Sequence, residues 1–277
     1  MKKLTSIFSI MLLIGMFVSI NAQTAHVETF GASPRDVEAD TNDVIDRAYN
    51  GLQNVGVETQ MYLDGYVSGG TLSGSQSWQL VSKPDGSGLT GIGAATDVDD
   101  SRERVVFTPD VAGQYLITFS DAGTTDSLLI NAGTFTGVND GGCSGCHSGY
   151  NNEWEQTGHA DIFERAMNGT LSSHYNPSCV ECHTTGYDAN ANNEGFDDRD
   201  FVYPDSLYPG QYDSLLANSP NAMKLANIQC ESCNRPGSEH FGDVEGNQMV
   251  STLDSKNCAW CHDAGTHHVF PYQWQTS

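Results

Sequence analysis

CSGCH at residues 143–147 returns as CVECH at 179–183 and as CAWCH at 258–262. Each copy has two cysteines three positions apart and a histidine directly after the second. On one helical turn, two such thiols reach both vinyl groups of a single porphyrin, and the next residue directs its imidazole at the iron. The three copies therefore predict three sites of covalent haem c attachment. The predicted proximal iron ligands are His147, His183 and His262.

A fourth pair of cysteines, CESCN at residues 230–234, has asparagine at the histidine position. Asparagine is a poor iron ligand, so three interpretations stay open for this site. The haem is attached with an unusual axial position, it is not attached, or the sequence carries an error or has drifted. The predicted attachment residues, including this pair, are Cys143, Cys146, Cys179, Cys182, Cys230, Cys233, Cys258 and Cys261.

Cys-x-x-Cys pairs also occur in zinc knuckles, iron–sulfur sites and disulfide frameworks. Zinc knuckles make no demand on the next residue, whereas three of the four pairs here are followed by histidine. Disulfide frameworks do not repeat this spacing, although an exported chain with eight cysteines is compatible with them. The pattern favours haem over all three alternatives.

Several segments around these motifs resemble one family. Gln229–Cys233 with Pro236–His240, Trp154–Ala160 after the first motif, and Asn176–Ser178 and Thr184–Tyr187 around the second are similar to multihaem cytochromes of the cytochrome c-554 type. The similarity extends from Gly142 to the last residue. It departs from the family pattern at Asn234, where histidine is expected, and at Arg235, where glycine is expected.

The resemblance implies a mostly helical and loop-rich domain that is organised by its haems and receives distal ligands from histidines elsewhere. Covalently held macrocycles would supply the buried surface that a glycine- and asparagine-rich sequence lacks. His159 and His240 lie inside the family motifs and are predicted as distal ligands. His268 is favoured over its neighbour His267, while His174 is equally well explained as a surface residue.

The first half of the chain has no cysteine and shows another pattern. Short alternating runs, typical of half-buried strands, are separated by glycine-rich turns. They are predicted at Val57–Leu63, Ser77–Val81, Arg104–Thr108, Gln114–Phe119 and Ser127–Asn131. The segment around 55–132 resembles immunoglobulin-like domains of the PKD type, which implies an all-β sandwich with Trp78 in the core and Tyr115 at a strand corner. Asp97, Asp99 and Asp100 are explained better as a solvated turn than as a calcium site, because no complete loop of ligands is present.

Lys2 and Lys3, an apolar run over 7–20 and a small residue at Ala22 predict a cleaved signal peptide at residues 1–22. Residues 23–54 are predicted as a linker or short leading segment, with a weak helical stretch over 43–52. The immunoglobulin-like sandwich is predicted at residues 55–137. The multihaem cytochrome domain is predicted at 138–277.

The formal charge of the whole chain is −23, which changes to −25 when two lysines leave with the signal peptide. Such a surface repels nucleic acid and anionic membranes. It keeps an exported protein soluble, and it could also dock a basic redox partner. We therefore expect a periplasmic or extracellular protein with redox partner proteins, no nucleic-acid partner and no membrane anchor. The oligomeric state is left open.

Three functions are compatible with these features. An electron carrier is favoured by the spare histidines, since two histidines on one iron suit electron transfer. A haem enzyme acting on a small nitrogen or sulfur compound would need an open iron and anion-binding groups, yet the haem domain has only five lysines and arginines. A structural surface protein is the third possibility.

The last residues, 272–277, resemble the beginning of Trp154–Ala160 and stop before its histidine. We expect the native gene to continue with a histidine within about two residues, and with further haem motifs. The alternative is that Trp274 only packs on the last haem.

Overall fold

The computed structural model describes residues 23–41, 44–138, 142–246, 249, 252, 254–264 and 268–270. The predicted signal peptide and the Trp274 segment lie outside the described residues. Strands dominate the first half of the chain, and short helices with long loops dominate the second. The predicted fold class, a β-sandwich followed by a helix-and-loop domain, is confirmed.

The first half folds into the strands β1 Thr24–Phe30, β2 Asn54–Gly56, β3 Met61–Ser68, β4 Ser77–Ser82, β5 Thr96–Asp99, β6 Arg102–Phe107, β7 Gly113–Asp121 and β8 Thr124–Gly133. They form two four-stranded sheets, ordered β1-β3-β6-β5 and β2-β8-β7-β4. All pairs are antiparallel except β2 with β8. In the order of the first sheet, β1, β3, β6 and β5 match strands A, B, E and D of an immunoglobulin domain, and β4, β7 and β8 of the second sheet match C, F and G.

The core of the sandwich follows from the alternation of side chains along its strands. In β7, Tyr115, Ile117 and Phe119 are buried, and the residues between them are more exposed. Successive side chains of a strand point to opposite faces, so these three face the second sheet. A polar element is also buried here: Asp64 in β3 binds the side chains of Arg102 and Arg104 at 2.7 and 2.6 Å.

Trp78, which was predicted in the core, is partly buried and packs against it, and Tyr115 lies at the predicted strand corner. Trp78 on β4 contacts the Phe119 ring at a centroid distance of 5.0 Å and donates its indole N–H to Glu103. The Tyr115 hydroxyl donates to the Val111 carbonyl at 2.8 Å and to the Asp110 carboxylate at 2.9 Å. A tyrosine that bonds back to the corner before its own strand is a feature of this fold.

The segment 23–54 differs from its prediction as a linker. Its residues 24–30 form β1, which pairs along its whole length with β3. No helix lies among the described residues 44–52. Helix α1 instead spans Pro34–Ala39, where Ser33 and Asp36 form a capping box and proline occupies the first turn. The edge strand β5 was also not predicted, because all four of its residues are exposed and no alternation marks it. It includes Asp97 and Asp99, which were expected in a turn.

The second half is built from short helices around a small apolar core. Phe163 and Phe196 are fully buried there and contact each other edge to face at 5.4 Å. The helices are α2 Cys143–Cys146, α3 Ser148–Trp154, α4 Ile162–Met167, α5 Val180–His183, α6 Gln211–Asn218, α7 Pro220–Met223, α8 Cys230–Asn234, α9 Ser238–Gly242 and α10 Ser255–His262. A two-stranded ribbon joins β9 Asp263–Ala264 to β10 His268–Val269. No helix in the described part of the chain has the length and apolar character needed to cross a membrane.

Two side chains hydrogen-bond to residues 136–138, which connect the two halves of the chain. They are Glu231 in α8 and Gln229, which directly precedes this helix. The buried Glu231 carboxylate accepts hydrogen bonds from the backbone N–H groups of Thr136 and Gly137 at 3.0 and 2.7 Å. The Gln229 side chain accepts from the N–H of Val138 at 2.7 Å. Burial raises the pKa of Glu231. The Q-C-E segment therefore also has a structural role that its sequence did not reveal.

Candidate haem-binding region

Each Cys-x-x-Cys pair lies on one turn of helix. We number the motifs in chain order: motif 1 in α2, motif 2 in α5 with the 3₁₀ turn before it, motif 3 in α8 and motif 4 in α10. Residues three apart are neighbours on a helix surface, so both thiols of a pair face the same way. The Asn176 side chain caps the turn at motif 2 by accepting from the Ser178 N–H, and Asp254 caps α10 by accepting from the Lys256 N–H. These caps explain why polar residues precede the two motifs.

The eight cysteines are all described, and none forms a disulfide. Thiols of different motifs are neighbours: Cys143 of motif 1 hydrogen-bonds to Cys230 of motif 3, and Cys261 of motif 4 to Cys182 of motif 2. The first contact lowers the pKa of Cys230 to about 7 and raises that of Cys143. Burial and the nearby Cys258 of motif 4 raise the pKa of Cys233 in motif 3, which links these two pairs of motifs. The four motifs therefore form one cluster rather than four separate sites.

Two pairs of histidine rings lie next to each other, and each pair includes the histidine of one motif. The His147 and His240 rings have centroids 6.4 Å apart with planes inclined by 18°. The His159 and His262 rings have centroids 6.1 Å apart with planes inclined by 43°. Two imidazoles that bind one metal ion from opposite sides at about 2 Å each hold their centroids about 6 Å apart. Both spacings fit one iron per pair.

The other candidate histidines have different surroundings. The His183 ring stacks on Tyr175 at a centroid distance of 5.3 Å, a neighbour that nothing in the sequence indicated. His174 is exposed. His268 lies in β10, but its side chain and the whole of His267 are outside the described residues.

Motif 3 departs from the others in backbone as well as in sequence. Asn234 ends α8, and the next residue, Arg235, has φ of +66° and ψ of −179°. This conformation is favoured by glycine, the residue that the family pattern places there. Arg235 therefore keeps a backbone conformation that suits glycine, and the backbone has not changed to suit the arginine side chain.

The residues present fit haem c. Two thiols on one helical turn, followed by histidine, recur three times, and two of those histidines face a second histidine at the spacing for a shared iron. Haem held in this way would supply one-electron redox chemistry, with cysteines as attachment points and histidines as axial ligands. Among the described residues, no group of three or more His, Cys, Asp or Glu that could hold a metal ion is found.

Residues 142–201 match the family model described as cytochrome c554 and c-prime. Among solved structures, the Lin-41 filamin domain is 17% identical, with 29% of this chain and 82% of that chain covered and a TM-score of 0.24. The titin M10–obscurin-like 1 Ig F17R mutant complex is 14% identical, with 28% and 79% covered and a TM-score of 0.18. No curated protein matches the chain. The family match covers less than half of the chain; it supports a c-type cytochrome involved in electron transfer and, in general, haem c as the cofactor.

Proposed function

We propose that this protein is an exported multihaem c-type cytochrome that carries electrons between redox partner proteins outside the cytoplasm. The observation that carries the proposal is the pairing of histidine rings, His147 with His240 and His159 with His262. Iron with a histidine on each side has no open position for a substrate, which suits transfer of electrons rather than bond chemistry.

The clustering of the motifs supports the same function. Contacts join motif 1 to motif 3 and motif 2 to motif 4, and the Cys233 and Cys258 thiols of motifs 3 and 4 interact electrostatically. Haems attached at adjacent motifs would lie close together, and a carrier needs short distances between its cofactors. We propose three haems at motifs 1, 2 and 4, and leave the occupancy of motif 3 to experiment.

Export and partner choice belong to the same proposal. Cleavage after residue 22 would deliver the chain to the periplasm or the cell surface, where c-type haem is attached. The formal charge of the whole chain, −23, favours a partner with a basic docking face. If so, the rate of electron exchange with that partner will fall as the salt concentration rises.

The test is a haem count on protein purified from an expression host that can mature cytochromes. Pyridine haemochrome spectra and intact mass should give at least three haems per chain, and acidified organic solvent should release none of them. Replacing both cysteines of motif 1 by alanine should remove one haem, whereas the same change in motif 3 removes one only if that site is occupied. Release of all haem into the solvent would refute covalent attachment.

Turnover assays separate the carrier from a haem enzyme. A carrier should be reduced and reoxidised without catalytic consumption of nitrite, hydroxylamine or tetrathionate. Sustained turnover of any of these at rates typical of enzymes, about 1–1,000 per second, would instead establish catalysis at an open iron.

A further inference from the structure

Arg235 occupies a backbone conformation that costs free energy for any residue other than glycine. Its φ of +66° with ψ of −179° lies in a region that is essentially restricted to glycine and costs about 1–3 kcal/mol for other residues. Strain of this kind persists only where surrounding interactions hold it in place. The side chain is therefore expected to make an interaction that glycine could not.

The guanidinium of Arg235 is buried. The residue is 8% exposed, and its Nε and Nη2 atoms have no hydrogen-bond partner within the part of the chain that the structure describes. The aromatic rings of Trp260 and Tyr49 lie 4.6 and 6.0 Å from the guanidinium carbon. Aromatic faces attract a cation but accept no strong hydrogen bond, so two buried donors still need acceptors.

The nearby acidic group does not supply those acceptors. Asp188 lies within electrostatic range of Arg235, but its carboxylate faces Arg47, with an N to O distance of 3.9 Å. A buried charged group without a bonded counter-ion is strongly unfavourable. The two orphaned donors thus point to an anionic ligand that the polypeptide does not provide.

The position of Arg235 indicates what this anion is. The residue directly follows motif 3, and its guanidinium lies over Trp260 inside motif 4. Its positive charge acts on Cys233 and Cys261, one thiol of each motif. Each haem c carries two propionate carboxylates, and planar guanidinium groups bind carboxylates through two parallel hydrogen bonds.

We propose that Arg235 binds a propionate of a haem attached at motif 3 or motif 4, an inference that rests on the proposed function. The missing acceptors and the retained backbone strain then have one explanation. The interaction would also couple Arg235 to the reduction potential of that haem, because a cation beside the propionate favours the reduced iron.

The experiment compares purified holoprotein carrying Arg235→Gly, Arg235→Gln or Arg235→Lys with the unaltered chain by redox titration followed in the visible spectrum. Arg235→Gly suits the backbone, so it keeps the test valid if the other variants fail to fold. We expect an unchanged haem count, one midpoint potential shifted to lower values in the glycine and glutamine variants, and a smaller shift with lysine. Arg165→Gln, which removes an exposed positive charge from the same domain, is the matched control and should shift no potential.

The pH dependence separates a bound propionate from a nearby charge. A carboxylate hydrogen-bonded to a guanidinium stays ionised. Without that partner the pKa of the propionate rises, so the propionate takes up a proton when the iron is reduced. The shifted potential should therefore depend more steeply on pH in Arg235→Gly than in the unaltered protein. An equal shift at every pH, or no shift with all haems present, would overturn the proposal, whereas absence of covalent haem would overturn the proposed function itself.

A spectral label identifies the haem. His159→Ala is expected to make the motif 4 haem high-spin, so its bands can be followed separately. If the Arg235→Gly shift in this background is carried by the high-spin bands, the propionate belongs to the motif 4 haem. If it is carried by other bands, and disappears when both cysteines of motif 3 are replaced, it belongs to the motif 3 haem.

Discussion

Replacing His159 by alanine should convert one haem, and only one, from low spin to high spin. The His159 ring faces His262 at 6.1 Å between centroids, a spacing that fits a shared iron. Without the His159 imidazole, the motif 4 iron would keep one histidine and lose its second strong ligand. If three haems are attached, the high-spin share of the spectrum should rise by about one third, and if four are attached by about one quarter.

The backbone around residue 159 should be kept in this variant. The His159 backbone carbonyl, which accepts from the Ile228 N–H at 3.1 Å, is retained by alanine. An unchanged haem count and unchanged far-ultraviolet circular dichroism should therefore accompany the spectral change and assign it to the iron rather than to unfolding.

The assay is the visible absorption and electron paramagnetic resonance spectrum of oxidised and reduced protein, with the haem count held constant. Added imidazole should restore the low-spin state by entering the vacated position. His174→Ala is the matched control, since this exposed histidine belongs to the same domain. A low-spin spectrum unchanged in His159→Ala, or a conversion in His174→Ala instead, would show that His159 and His262 do not bind one iron.

Three further outcomes are expected. Tyr115→Phe removes the corner hydrogen bonds and should lower the free energy of unfolding by about 1–2 kcal/mol in urea titrations. The control is Tyr66→Phe, which removes only a long, solvent-exposed hydroxyl contact to Glu28 at 3.5 Å and should have almost no effect. Burial raises the pKa of Asp197 to about 6, so the folded protein binds this proton more tightly than the unfolded chain does. The free energy of unfolding should therefore fall as pH rises from about 4 to 6, and Asp197→Asn should remove this dependence. Gly186 has φ of +80°, and a Cβ there would lie 2.5 Å from the Phe135 ring, so Gly186→Ala should lower the melting temperature and fails as a prediction if it does not.

The sequence alone was sufficient for the features that depend on neighbouring residues. A Cys-x-x-Cys-His motif needs only one helical turn, so five consecutive residues are enough to predict its chemistry. The alternation in β7 likewise predicts which of its side chains are buried. The strand β1 was missed because its place in the sheet depends on β3, more than thirty residues later, and not on its own pattern.

Tertiary structure alone decided which distant residues meet. The sequence nominated His159 and His240 but could not assign them to His262 and His147, because those pairings span about a hundred residues and arise from packing. The same is true of Arg235, for which the sequence showed only a departure from a family pattern. Its burial, its backbone strain and its two unpaired donors follow from the packing of α8 against α10 and the sandwich. Local chemistry is determined by spacing along the chain, but ligand pairing and burial depend on contacts that only the folded chain creates.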